Sequence, residues 1–546
     1  LKLSYGTEKI SCLMSRHYLD IFIFYKGSVT MAKTHELYIQ NYLNEHKSES
    51  FISTELIDIL LRQYPTLTPN NCRRIINNAL SHNIISSSSP ITFSNKQYAY
   101  FSTESPAGYE VLANSIKKYK QALHRVIFAL ERNSGILTYL DALKISGATL
   151  AATSHNISFE SIINELKILQ MADIHTIHNT KYIIQKKKGI DLSAIETLHE
   201  DLKNTNLILF LSLNWLIHSN LIDSKQLCYM GETNDYNGIE RNNELWDAFG
   251  FSNATGLGGN NKDFQTIVLI DFSPHHTYEE YDFIGFKERI DRTIFSTNGE
   301  HRKVLPIIFS YNISPSASSL IKKYGYIHFS ISSLLGENAL NVARNYTQNI
   351  TSIEQKISSK NSNFEEEISN SLKDIRESGN ETNYGNLKGQ LFEYLMYPVI
   401  QKIYGTNSII THSYSGSING QKFECDYLVE SNDENIIIEL KGYKKGNIIL
   451  KGSYDQETHK YTPNSILWFL NQTFNLCTQK LGKRRPNKLC YITTADLEDS
   501  AKTELKSRKK NKPTKLECFY NHETLIKLLK EYDMKNEIKV IEQFYV

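Results

Sequence analysis

The chain has 546 residues, too many for one hydrophobic core, which implies three or four domains. A hydrophobic share of 40% and a charged share of 22% exclude wholesale disorder, and a net charge of +2 means that any nucleic-acid surface must come from local clustering. Seven scattered cysteines without a CxxC pair argue against a zinc site or a disulfide framework and fit a reducing cytoplasm.

Residues 1–34 are expected to be a peripheral N-terminal segment, with MAKTHELYIQ at Met31 reading as a natural start. Residues 35–104 read as three short helices closed by a ribbon: 35–44, 53–63, and 69–82 with Thr68 as N-cap and Pro69 in the first turn. A serine-rich turn at 86–89 and the alternating stretch ITFSNKQYAYF, bending at Asn95-Lys96, supply the ribbon. That order is the plan of a winged helix-turn-helix, whose third helix, with Arg73, Arg74, Asn77 and Asn78, would enter a major groove. Such domains also serve as protein–protein modules. Residues 105–190 repeat the plan with helices at 119–132, 139–145 and 158–170 and a hairpin at ADIHTIHNTKYIIQ, followed by Lys186, Lys187 and Lys188. The third helix here offers few cations and reads as structural.

LILFLSLNWLI at 207–217 is the most apolar run and falls short of the roughly 18 residues a membrane span needs, so a buried helix or strand is expected. Residues 205–345 read as an α/β domain: a helix around 242–249, strand TIVLIDFS, a helix near 283–295, strand VLPIIFSY, a helix at 316–324 and strand YIHFS. Residues 346–384, rich in Ser, Asn and Glu, read as a helical linker. Residues 385–546 run helix, three strands, helix, strand, helix, strand, helix, which implies a mixed sheet covered on both faces.

The last block concentrates the chemistry. GQLFEYL places Glu393 on a helix, ECDYLV places Asp426 on a strand, and IIIELKGY places Glu439 and Lys441 at i and i+2 on one strand face. Two carboxylates on neighbouring strands need a compensating cation, and a hard divalent ion such as Mg2+ or Mn2+ suits them. Such a centre fits phosphodiester hydrolysis, with Lys441 orienting or deprotonating water and Glu393 as a further ligand. Three cationic runs follow: Lys444, Lys445 and Lys451; Lys480, Lys483, Arg484, Arg485 and Lys488; and Arg508, Lys509, Lys510, Lys512 and Lys515. They are expected to form a phosphate-tracking surface around the carboxylates.

Over residues 385–546 these motifs resemble the PD-(D/E)XK nuclease superfamily, the restriction-endonuclease-like fold. The resemblance implies that Asp426 is its strand aspartate, Glu439 and Lys441 its ExK pair and Glu393 its helix carboxylate; Cys425 stands where a proline often precedes the aspartate. Residues 305–335 and 489–529 share a strand, turn, Ser-Ala helix start, strand and helix, so 205–345 is expected to be a degenerate copy. There Glu244 would take the helix position, Asp263 the early acidic one and Asp271 the ExK one. Ser273 lacks the cation, so no catalysis is expected. GLGG at 256–259 lacks GxGxxG spacing and reads as a loop.

The fold expected is a multidomain α/β chain with N-terminal winged helix-turn-helix units and two restriction-endonuclease-like α/β domains, the first degenerate. The function expected is a cytoplasmic Mg2+-dependent endonuclease acting on DNA in restriction or anti-phage defence, as a homodimer and with a defence-system partner protein, away from membranes. The alternatives are a regulator that binds DNA without cutting it and an RNA-cleaving nuclease, since the hydrolytic residues do not read the 2′-hydroxyl.

Overall fold

The computed structural model describes residues 34–545 apart from 94–95, 106–107, 154–155, 187–191, 232–235, 253–264, 298–302, 360–362, 406, 445 and 457–459. The chain is a mixed α/β, multidomain protein that divides into two units, one of residues 1–206 and 216–330, the other of 207–215 and 331–546. Among the described residues no helix is long and apolar enough to cross a membrane.

The first unit opens with helices α1 (Thr34–Glu45), α2 (Ser53–Gln63) and α3 (Pro69–Ser81) and strands β1 (Phe51–Ile52), β2 (Ile85–Ser87) and β3 (Ala99–Ser102). Thr68 caps α3 by accepting the Asn71 N–H, as a threonine before proline favours. β3 pairs with both β1 and β2, so Ser86 and Ser87, expected in a turn, lie in a strand instead. Next come α4 (Gly108–Tyr119), α5 (Gln121–Arg132), β4 (Ile136–Thr138), α6 (Tyr139–Ser146), α7 (Phe159–Ile168), β5 (Ala172–Ile177) and β6 (Thr180–Gln185). The helix expected at 119–132 therefore begins one residue past the end of α4. A strand not foreseen, β4, pairs with β6. The apolar run at 207–217 lies inside helix α8 (Leu192–His218), with Leu209, Leu213 and Leu216 buried.

A five-stranded sheet follows, made of β7 (Cys228–Tyr229), β10 (Ala248–Ser252), β11 (Thr266–Ser273), β12 (Val304–Ser310) and β13 (Ile327–Ser330) in that spatial order. Strands β8 (Ile239–Arg241) and β9 (Glu244–Trp246) form a hairpin beside it. The helix expected around 242–249 is thus three short strands. Glu244 stands on β9, so it cannot take a helix position, and Asp263 and Gly256–259 lie outside the described residues. Antiparallel pairing joins β7 to β10 and β10 to β11, and parallel pairing joins β11 to β12 and β12 to β13. Helix α9 (Glu280–Thr297) lays Phe283, Phe286 and Ile290 on Ile267, Leu269 and Ile308.

In the second unit, α10 (Ala339–Ser358) packs on α11 (Glu365–Glu377), which buries Ile368, Leu372 and Ile375. The stretch expected to be a linker therefore contributes to a core. Helix α12 (Gly385–Tyr404) precedes a sheet of β14 (Ile409–Ile418), β15 (Gln421–Glu430), β16 (Asn435–Lys441), β17 (Asn487–Thr493) and β18 (Phe519–Tyr520), in that order. Asn419 and Gly420, with φ of 49° and 79°, close the β14–β15 hairpin as an Asn-Gly turn does. β14, β15 and β16 are antiparallel neighbours; β16, β17 and β18 are parallel. The two sheets repeat one pattern of order and direction.

Candidate active site in the second unit

The strand NIIIELK is β-branched and apolar because β16 lies between β15 and β17 and is buried along nearly its whole length. Tyr427 pairs with Ile438, so the next step of the register sets Asp426 opposite Glu439. Alternation then brings Lys441 to the face of Glu439. The Lys441 Nζ lies 2.8 Å from Glu439 Oε1 and 3.8 Å from Asp426 Oδ2. Asp426 Oδ2 also accepts the Leu440 N–H at 2.5 Å, which ties the carboxylate to the backbone of the neighbouring strand. Glu439 Oε2 is buried without a hydrogen-bond partner.

The electrostatics follow from that geometry. Burial first, and then the Glu439 charge, raises Asp426 well above the usual carboxylate range, with Lys441 pulling the other way. Burial also raises Glu439 against the pull of Lys441. For Lys441, burial works against the ammonium, but Glu439 and Asp426 outweigh it and hold its pKa above the ordinary lysine value. Two carboxylates thus share one ammonium, and a buried oxygen has no partner. A divalent cation fits that donor set, because it would satisfy the orphan oxygen and neutralise the remaining charge.

Glu393 faces this pair from α12, and its charge is felt by both carboxylates. Its Oε2, however, pairs with His412 Nε2 at 3.1 Å. Among the described residues no three His, Cys, Asp or Glu side chains converge as a ready-made metal cluster, so Glu393 does not complete the set in this arrangement. His412 is held between the rings of Tyr394 and Tyr427, each 5.0 Å away, and the Tyr427 hydroxyl donates to the Glu393 carbonyl. Thr493 and Thr494 fix the end of β16: the Thr493 hydroxyl donates to the Lys441 carbonyl at 2.8 Å, and Thr494 bonds both ways with the Tyr443 backbone. These supporting residues were missed from sequence. The only trace of the two threonines is that they end the apolar strand KLCYITT.

The first unit holds a register-equivalent pair. Ala248 pairs with Ile270, so one further step sets Asp247 opposite Asp271, the position expected for Asp263. Asp247 Oδ2 accepts the Phe272 N–H at 2.8 Å, as Asp426 accepts that of Leu440. Ser273 does lack a cation, but Lys144 from α6 supplies one, 2.6 Å from Asp247 and 3.0 Å from Asp271. Arg289 adds a second, 3.3 Å from Asp271 Oδ1, and the Tyr278 hydroxyl donates to Asp271 Oδ2 at 2.7 Å. Glu244 pairs with Arg292 instead of approaching the dyad. Two carboxylates here meet two cations, and both Asp271 oxygens are engaged. Burial still pushes Asp247 up to about 6 against the pull of Lys144. A cavity lined by Lys144, Asp247, Asp271, Arg132, His276 and Asp282 borders this dyad.

The expected nucleic-acid residues are dispersed. Arg73, Arg74 and Asn77 are exposed on α3, and Arg73 donates to Asn70 within that helix. Lys444 is exposed just beyond Lys441; Lys445, like Lys187 and Lys188, lies outside the described residues. Lys483 and Arg484 are exposed and Arg485 is half-buried at the start of β17. Since Asn487 pairs with Asn435, they stand about 20 Å of strand away from Lys441, at roughly 3.3 Å per residue. Lys488, bonded to the Lys510 carbonyl, holds the third run at that same end, where Lys512 pairs with Glu517. The three runs therefore do not surround the carboxylates; parallel β16 and β17 carry two of them to the opposite edge of the sheet.

The chain matches no known protein family, no characterised protein and no solved structure.

Proposed function

We propose that the protein is a divalent-cation-dependent endonuclease that hydrolyses phosphodiester bonds in DNA, with its centre at Asp426, Glu439 and Lys441. On this reading residues 385–546 are a PD-(D/E)XK domain, 205–345 its degenerate counterpart, and the helical blocks at 35–104 and 105–190 winged helices that hold DNA through Arg73, Arg74 and Asn77. The observation that carries it is the Glu439 carboxylate, buried beside Asp426 with one oxygen unpartnered.

Asp426 and Glu439 would hold Mg2+ or Mn2+, and Glu393 would join them after releasing His412. When bound, such an ion supplies charge stabilisation at the phosphoryl group and a more acidic water. Lys441 places an ammonium where negative charge builds on the phosphate oxygens and orients the attacking water from within the same pocket of charge. Restriction or anti-phage defence, action as a homodimer, and a defence-system partner protein are the setting we propose for such a chain, by analogy of fold.

The experiment is cleavage of plasmid, linear duplex, single-stranded DNA and RNA with Mg2+ or Mn2+, comparing the unaltered chain with Lys441→Ala. A loss of about 10²–10³ in rate is expected for the variant, the usual cost of removing one preorganised charge from a transition state. Cutting confined to RNA moves the substrate class and keeps the chemistry. A second reading, a DNA-binding regulator that does not cut, draws on the absence of a three-ligand cluster among the described residues. It predicts duplex binding that EDTA leaves intact and no cutting of any substrate.

A further inference from the structure

We infer that each chain carries a single competent hydrolytic centre, so that one encounter cuts one strand of a duplex and the complementary strand is left to a second copy of the chain. This rests on the hydrolytic reading above and specifies its product. The frame for a centre occurs twice: both sheets run antiparallel, antiparallel, parallel, parallel, and both set an acid pair at the same step of register. In each, the strand aspartate accepts the N–H that follows the second acid, and an ammonium bridges the pair.

The two pairs differ in charge balance. Asp247 and Asp271 are matched by Lys144 and Arg289, and Tyr278 occupies the remaining Asp271 oxygen. Asp247, Asp271 and Arg289 are buried. A divalent ion entering there must strip two buried cations from their partners, at several kcal/mol for each charge left uncompensated. Asp426 and Glu439 have Lys441 as the cation within ion-pair distance among the described residues, and Glu439 keeps an unpartnered oxygen. That pair retains negative charge and room for an ion.

At one centre, one water oxygen bonds to one phosphorus as the P–O bond to the leaving oxygen breaks, and a water proton ends on that oxygen. The result is one nick. The strands of a duplex run in opposite directions, so the same centre faces the second strand only after reversal, whereas a two-fold-related copy presents it directly.

Two measurements on the full chain test this. With supercoiled plasmid and Mg2+, nicked circles are expected to accumulate first, and linear product to appear later at a rate rising with the square of protein concentration. Linear product formed first, at a rate proportional to protein concentration, overturns the inference while leaving the hydrolytic reading standing. Mn2+ binding followed by electron paramagnetic resonance is expected to weaken at least about 100-fold in Glu439→Gln. Tight Mn2+ binding that survives this substitution places an ion at the Asp247–Asp271 pair and overturns the inference from the other side. No cutting of any nucleic acid overturns the hydrolytic reading, and this inference with it.

Discussion

Gly442, the residue after Lys441, shows how little slack surrounds the candidate centre. A Cβ there would lie 2.5 Å from Phe392 Cβ and 3.0 Å from a Tyr545 ring carbon, so the end of β16 packs on α12 at a distance only glycine allows. Gly442→Ala forces strand and helix apart beside both Lys441 and Glu393. Overpacking of this kind costs about 1–3 kcal/mol. Since a shift of about 1 Å can cost about 100-fold in rate, cutting is expected to fall by that order while the chain stays folded. Denaturant unfolding alongside the cleavage assay checks this; unchanged cutting would show that Lys441 is positioned from elsewhere. The Glu439-Leu440-Lys441 spacing was legible because alternation in a strand is a local property. The His412 contact was not, because it joins a helix to a strand through side chains whose meeting depends on packing.

Helix α6 and the sheet of the first unit are joined through charge. Lys144 reaches a carbonyl 128 residues away in sequence at Phe272, as well as both aspartates. Lys144→Met is expected to destabilise this unit by about 3–5 kcal/mol, because it leaves buried carboxylates short of a cation. A melting temperature that does not move would mean the dyad is protonated at neutral pH. Arg132 on α5 grips Asp282 of α9 with two hydrogen bonds, at 2.7 and 2.9 Å. Burial works to raise Asp282, but its bonds to His276 and Arg132 outweigh it and hold the carboxyl well below its usual range. A depressed carboxylate contributes stability that is present above the unfolded value near about 4 and is lost as pH falls below it. The stability difference between the unaltered chain and Arg132→Ala should therefore be full at pH 6 and shrink as pH drops below about 4, as thermal melts across pH would record. At the level of elements, ELWDAF was misread as helix because its residues favour helices. Asn242 and Asn243, at φ of 52° and 63°, instead turn β8 into β9, and pairing with β11 holds β10 extended. Tertiary pairing overrode local propensity.

Across the whole molecule, the two units are expected to answer a divalent cation differently. Ligand that binds only the folded state stabilises by about 2.7 kcal/mol at a hundred times its dissociation constant. Calorimetry with increasing Mg2+ should therefore raise one unfolding transition and leave the other in place, and Glu439→Gln should abolish the rise. Equal shifts of both transitions would mean that both acid pairs bind the ion or that the units unfold together.

Sequence alone determined the elements whose signal is local: the apolar β16, the capped α3, the Glu439–Lys441 face and the succession of helices and strands in the last block. Repeated patterning also made the kinship of 305–335 with 489–529 readable. Only the tertiary structure decided that Asp247, not a residue in the loop beyond it, opposes Asp271. It also decided that a lysine from a distant helix and a buried arginine neutralise that pair, and that two of the three cationic runs sit at the far edge of the sheet. The physical reason is common to all three. Register, strand direction and charge pairing are relations between elements far apart in the chain, and no window of sequence contains both partners.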